Sequence, residues 1–331
     1  MNDKAASVVQ RLGIRAQFPS VKRFLARYAV TVDAEEARQS LQRYAHERCF
    51  PTTVELFGRV EPRVYGDTSA QLHLRHLAGM YRWRAMHAAL GGRTGWQPDW
   101  QRAAAYEYWA IRADFAFQAR VYEMRRAEQP PRSAQLLHLS YVGGHIGDLV
   151  ALGWLERAVE LAGLARHWLA RDGFNDGGDG YGCRRTQHFV LRLVSSWQRW
   201  AEQTGPRCAF DEPVFNALIE HWHTRDAALI EHLLLAACDH HTHQARPDRG
   251  SRRVWFDLST GDWDYDPFEV LAVMRLREQA GLANPELDHP LMATPLAALP
   301  GRTAPYTDEL LEAVVRRLQA DLGGYWDVRR D

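Results

Sequence analysis

The stretch LVALGWLERAVELAGLARHWL, residues 149–169, decides the fold class of this chain. Its large apolar residues recur at helical spacing and share one broad face, which is the pattern of an amphipathic helix. That face consists of Leu152, Leu155, Val159, Leu161, Leu164 and Trp168. The stretch therefore predicts an amphipathic helix, and most of the chain on either side of it carries similar signals.

Sequence signals on both sides of this stretch predict where other helices begin and end. Asp33–Glu36 forms a capping box with Asp in place of Ser or Thr, and Pro98-Asp99 begins a long helix. Gly91-Gly92 ends the helix before it, and residues 212–243 form a helical hairpin. About ten helices result, without the alternation of strands and helices that α/β folds require. We predict an all-α fold, either an irregular helical bundle or a solenoid-like array of helical hairpins.

Several segments interrupt the helical pattern. The glycines at 143, 144 and 147 predict a loosening or bend of the chain, and Arg253–Leu258 is a candidate for a short strand. The glycine-rich stretch RDGFNDGGDGYG, residues 171–182, predicts a turn-rich connector. We therefore expect an N-terminal helical region at 1–170 and a C-terminal helical region at 183–331, with a single domain as the alternative.

The composition is that of an ordinary globular protein. The chain has 331 residues, of which 46% are apolar and 25% charged, and this excludes a disordered or collagen-like protein. Its 41 basic and 41 acidic residues cancel, which argues against direct binding to nucleic acid. No apolar run predicts a membrane span, the N-terminus lacks the pattern of a signal peptide, and the four cysteines are scattered. We expect a cytoplasmic protein.

Histidines at the end of the 212–243 hairpin raise the question of a metal site. His240, His241 and His243 lie close together in sequence, whereas His221 and His223 belong to the opposite end of the hairpin. The two groups are about 20 Å apart if the second helix is regular, because each residue advances 1.5 Å. Histidine is also favoured near helix C-termini without any metal. We predict no metal and no cofactor, and whether these histidines bind a metal stays open.

No strong catalytic motif occurs, since HExxH, GxSxG and a Walker A loop are all missing. The 12 Trp and 12 Tyr residues could line a sugar-binding cleft, as in helical α/α-toroid enzymes. Asp176 with Asp179, or Asp262 with Asp264, would then supply the two carboxylates. Alternatively, the tryptophans fill gaps between helices. We predict no catalytic residue.

The acidic stretch from Trp255 to Asp288 is the most distinctive feature. It holds eight acids against Arg275 and Arg277, with aromatic residues between the first five acids. Aromatic side chains can anchor a protein partner while acids steer a basic one, although an ordinary helix entry capped by Asp266 is the alternative. The predicted partner-binding residues are Asp257, Asp262, Trp263, Asp264, Tyr265 and Glu269.

The run GDWDYDPFEVLAVMRLREQAGLANPELDHPLMATPLAAL, residues 261–299, resembles a pattern in all-helical immunity proteins of bacterial polymorphic toxins. That group includes immunity proteins against PoNe-type DNases, effectors of type VI secretion. In the pattern an aromatic-rich turn leads into a helix with a glutamate on an apolar face, and a short loop follows. The sequence departs from it at Asp262 and at Asp264–Pro267, where small and aromatic residues are expected. The matching positions are Trp263, Tyr265, Phe268, Glu269, Leu271, Ala272 and Asp288-His289-Pro290.

This resemblance implies a non-enzyme that neutralises a cognate secreted toxin by occluding its active cleft. A nuclease is one candidate toxin, because acids can mimic phosphates and raise the association rate. Two alternatives stay open: a helical enzyme with a metal or sugar site, and a helical-repeat scaffold protein. Bound zinc or a sugar-dependent change in tryptophan fluorescence would favour the enzyme, and several unrelated partners would favour the scaffold.

Overall fold

A computed structural model gives the fold of the chain. It describes residues 9–27, 34–46, 51–56, 59–64, 67–125, 137–171, 173–174, 184–203, 209–246, 255–259 and 261–326. Asp176 and Asp179 of the predicted connector, and with them one of the two suggested carboxylate pairs, lie outside these ranges. None of the described helices is long and apolar enough to span a membrane.

The described ranges contain eleven α-helices, which confirms the all-α class and the expected number of about ten. One antiparallel hairpin was not predicted; it pairs β1 (Pro51–Leu56) with β2 (Arg59–Val64). The helices are α1 (Val21–Arg27), α2 (Glu35–His46), α3 (Asp67–Leu90), α4 (Gln97–Arg125), α5 (Leu139–Ala151), α6 (Leu155–Leu169), α7 (Arg185–Trp197), α8 (Pro213–His221), α9 (Ala227–Gln244), α10 (Phe268–Gln279) and α11 (Glu309–Leu322).

The chain divides into two compact units, and the division is not the predicted one at 171–182. Unit 1 consists of residues 1–29, 86–95 and 138–304, and unit 2 consists of residues 30–85, 96–137 and 305–331. Both units are therefore assembled from segments that are distant in sequence. Residues 138–170 and 184–304, which were expected to belong to different regions, share unit 1.

Unit 2 is organised around α4 and α11. The Asp308 carboxylate caps α11 by accepting a 2.8 Å hydrogen bond from the Leu311 amide, and the Tyr106 hydroxyl of α4 donates to the same carboxylate. The Trp109 ring of α4 stacks on Trp326 with ring centres 6.0 Å apart. The hydrogen bond from Tyr106 and the stack of Trp109 on Trp326 thus attach α11 and the residues just after it to α4.

Unit 1 is organised around α5, and its glycines explain why. The predicted bend at these glycines is wrong, because α5 is a continuous helix. A Cβ atom on Gly143 would lie 2.5 Å from Gln187 of α7, and one on Gly144 would lie 2.6 Å from the Trp263 ring. A Cβ atom on Gly147 would collide with Phe268 of α10. The three glycines therefore allow α7, α10 and the turn before α10 to approach the α5 backbone closely.

Three further boundaries differ from expectation. The stretch 149–169 is not one helix, because Gly153 adopts a left-handed φ of 78° and separates α5 from α6. The sequence also predicts a helix over residues 186–203, but α7 ends at Trp197, and Arg199 takes a left-handed φ of 56°. At the candidate strand 253–258, the described residues make a single bridge between Leu258 and Ala245.

Candidate functional site

Five of the six predicted partner-binding residues are buried in the interior of unit 1. Asp257, Trp263, Asp264, Tyr265 and Glu269 are all at most 6% exposed, and Asp262 alone is partly exposed. The expectation that these side chains form a surface patch is therefore wrong for five of them. Their acids bind other parts of unit 1, and their aromatic rings pack against α5 and the N-terminal segment.

Glu269 of α10 forms a buried ion pair with His241 of α9. The carboxylate lies 2.8 Å from His241 Nδ1, while His241 Nε2 donates to the Trp263 carbonyl at 2.8 Å. Both neighbours of the ring are acceptors, so the geometry suits the doubly protonated imidazolium. Burial alone would lower the pKa of His241, but the charge and hydrogen bond of Glu269 raise it above its usual value.

Asp239 of α9 is fully buried and binds the N-terminal segment that we call the strap, residues 9–20. Arg11 holds it with two hydrogen bonds, Nε at 2.5 Å and Nη2 at 3.0 Å, and His289 Nε2 lies 3.3 Å from the same carboxylate. Burial alone would raise the pKa of Asp239, but the Arg11 guanidinium holds it below its usual range. Burial lowers the pKa of His289 despite its acidic neighbour.

Arg15 of the strap closes the end of α9. Its Nε donates to the Thr242 carbonyl at 2.6 Å and its Nη2 to the Ala245 carbonyl at 3.0 Å. The last carbonyls of a helix have no partner within the helix, so a guanidinium at this position satisfies them and opposes the helix dipole.

Asp257 binds the first turn of α7. Its Oδ2 accepts hydrogen bonds from the Thr186 amide at 2.7 Å and from the Thr186 hydroxyl at 2.9 Å. Burial raises the pKa of Asp257 above its usual value, although the charge of His240 and the Thr186 donors oppose the shift. His240 itself lies 3.2 Å from the Glu212 carboxylate at the start of α8.

The three histidines left open as metal ligands have protein partners. His241 binds Glu269, His240 faces Glu212, and His243 Nε2 donates to the Gly13 carbonyl at 3.1 Å. In the part of the chain that the structure describes, no three His, Cys, Asp or Glu side chains are grouped to hold a metal ion. The same histidines thus join α9 to α8, to α10 and to the strap.

Sequence reasoning missed a pocket of about 230 Å³ between α6, α7 and α8. Arg166, Arg192, Trp200 and Phe210 contribute to its lining. The signal in the sequence was weak, because these residues come from three separate segments. The packing of α7 against both α6 and α8 brings them together.

A scan of protein-family models and searches of curated proteins and of solved structures find no match to this chain.

Proposed function

We propose that this chain is an immunity protein that binds a cognate secreted bacterial toxin and neutralises it by blocking its active site. The proposal rests on the resemblance of residues 261–299 to immunity proteins of polymorphic toxins, including those against type VI effectors. One structural observation supports it: the segment has a buried side that builds the fold and an exposed side that carries acids.

The buried side consists of residues that the resemblance singles out. Trp263 and Phe268 pack on the glycines of α5, Glu269 binds His241, and His289 faces Asp239. Residues with such contacts determine the architecture of unit 1, so proteins with similar folds are expected to resemble each other at these positions. Because these side chains are buried, they are not part of the proposed partner surface.

The exposed acids of this segment lie after the residues that the sequence predicted as the partner surface. Glu278, Glu286 and Asp288 are exposed acids of the same segment, and Asp288 directly precedes the buried His289. A buried anchor next to an exposed acid holds that acid on a fixed part of the surface. Exposed acids attract a basic cleft, such as that of a nuclease, and increase the association rate. We therefore assign the partner surface to Glu278, Glu286 and Asp288.

The toxin is identified by affinity purification of the tagged protein from its native host, grown so that the candidate toxin is expressed. We expect one dominant toxin-domain partner to stay bound through stringent washes, and coexpression to protect cells from that toxin. An eluate without any toxin from cells shown to express one, or an absence of protection, would contradict the function.

The partner surface is tested with the variant Glu286→Lys/Asp288→Lys. We expect its association with the toxin to slow by about tenfold at low salt, with a smaller difference at high salt. The variant Glu231→Lys/Glu309→Lys changes two exposed acids elsewhere by the same total charge and is the control. Equal association rates for the two variants would refute the surface while leaving the function intact.

A further inference from the structure

The pocket between α6, α7 and α8 has apolar walls and two guanidinium groups. Leu169 and Leu191 come from α6 and α7, Ile219 comes from α8, and the Trp200 and Phe210 rings complete the walls. Mostly apolar walls with a few placed polar groups are typical of sites for small molecules.

Both arginines of the lining are held in place by protein contacts. The Arg166 guanidinium lies 5.4 Å over the Trp200 ring, and its Nη2 donates to the Ala201 carbonyl at 2.7 Å. The Arg192 guanidinium lies 4.3 Å over the Phe210 ring. Side chains that are fixed before binding lose little conformational entropy when a ligand arrives, so this arrangement is preorganised.

The charge of the lining favours an anion. Among the described residues of the lining, two are arginines, Arg166 and Arg192, and one is an acid, Glu202. Glu202 accepts a 2.8 Å hydrogen bond from Arg192 Nε, but its own side chain is 53% exposed. The Arg192 side chain is only 14% exposed, and its Nη1 also donates to Asn216 Oδ1 at 2.6 Å. A guanidinium has five N–H donors, of which these two hydrogen bonds use two, so Arg192 can also donate to a ligand carboxylate.

The size of the pocket limits the ligand. Its volume is about 230 Å³. This is below the range of roughly 300–1,000 Å³ that drug-sized ligands occupy. One aromatic ring system with a short acidic substituent suits this volume.

We propose that this pocket binds a small aromatic carboxylate, with its ring against the apolar walls and its carboxylate on Arg192. This site is separate from the proposed toxin surface, and the proposal does not depend on the immunity function. A ring covers the apolar surface of Leu191 and Ile219, while the ligand carboxylate accepts hydrogen bonds from Arg192.

The test is isothermal titration calorimetry of the whole protein with phenylacetate and indole-3-acetate. Their neutral amides, phenylacetamide and indole-3-acetamide, serve as matched probes. We expect one site per chain and affinity for the amides to be weaker by about tenfold or more, as expected when a charged hydrogen-bond partner is lost. Equal binding of acid and amide, or no saturable binding of either acid, would overturn the proposal.

Two variants locate the binding site. Arg192→Met keeps an apolar stem but removes the guanidinium, and we expect it to weaken carboxylate binding by about tenfold. Arg225→Met removes an exposed arginine from the turn between α8 and α9 and should leave binding unchanged. If Arg192→Met does not fold, Ile219→Phe fills the pocket and should abolish binding. Unchanged binding in either pocket variant would place the ligand elsewhere and refute the site.

Discussion

Gly144 leaves the space on α5 in which the Trp263 ring packs. The Trp263 ring occupies the space that a side chain at position 144 would need, and Phe268 does the same at Gly147. In the sequence, these glycines predict a loosening or bend of the chain, because glycine is a poor helix former. In the structure they are the reason that the aromatic turn and α10 can pack on α5. The pattern was visible in the sequence, but its meaning depended on what lies opposite.

We predict that Gly144→Ala lowers the free energy of unfolding by about 1–3 kcal/mol, because the new methyl group overlaps the Trp263 ring. Gly163→Ala in α6 is the matched control, since its Cβ would meet only Trp200 at 3.9 Å. The control should be neutral or gain about 0.5–1 kcal/mol from helix propensity. Urea denaturation of both variants measures the difference, and equal stabilities would refute the packing argument.

The pair of His241 and Glu269 makes stability depend on pH in a defined direction. The folded pKa of His241 lies above its usual value of 6.5, so the folded state binds the proton more tightly. Its contribution is present below about pH 6.5 and is lost as the pH rises through the folded pKa. Burial of this pair could not be inferred from the sequence, in which 28 residues separate its members.

We predict that Glu269→Gln destabilises the protein by about 3 kcal/mol at pH 6, because a buried imidazolium loses its counterion. The deficit relative to the unchanged protein should shrink as the pH rises, since His241 then becomes neutral in both proteins. Urea denaturation between pH 6 and 9 measures it, with the exposed Glu231→Gln as control. A deficit independent of pH would contradict the ion pair.

At the scale of elements, the strap fastens the end of α9. Arg11 and Arg15 reach a buried carboxylate and the last carbonyls of this helix, and 228 residues separate Arg11 from Asp239. Helix α9 itself ends one residue beyond the helical hairpin that the sequence predicts over residues 212–243. The strap has no helical or strand pattern, so its role depends entirely on long-range contacts.

We predict that Arg11→Met lowers the free energy of unfolding by about 1–3 kcal/mol, because Asp239 is left buried without its charged donor. Amide hydrogen exchange should increase at residues 9–20 and at the end of α9. The effect should fade in acid, since a carboxylate with a depressed pKa loses its contribution as the pH falls through that pKa. The substitution Arg23→Met at an exposed position is the control. Unchanged hydrogen exchange in the strap of Arg11→Met would contradict the role of Arg11 in attaching the strap to α9.

At the scale of the whole molecule, the balance of charge sets colloidal behaviour. The chain has a net charge of zero at pH 7 and a sequence pI of about 7.3. Proteins without net charge associate and precipitate most readily. The chain has 15 histidines, and histidine is the residue type whose ordinary pKa lies between pH 5 and 8, so a fall in pH makes the chain positive.

We therefore predict a solubility minimum near pH 7.3 and a marked rise by pH 5.5. Precipitation by polyethylene glycol across this range measures it, at constant ionic strength. A minimum displaced toward pH 5.5 would mean that the histidines do not set the charge of the folded protein.

The sequence by itself determined the all-α class, most helix boundaries and the absence of strand–helix alternation. These features depend on local physics, namely helical periodicity, a helix start such as Pro98-Asp99, and glycines after a helix end such as Gly91-Gly92. Only the tertiary structure decided the two units, whose segments alternate along the sequence, the burial of Asp257 and Glu269, and the pocket beside Arg192. An acid looks the same in sequence whether it faces water or a histidine, because burial is set by residues far away along the chain.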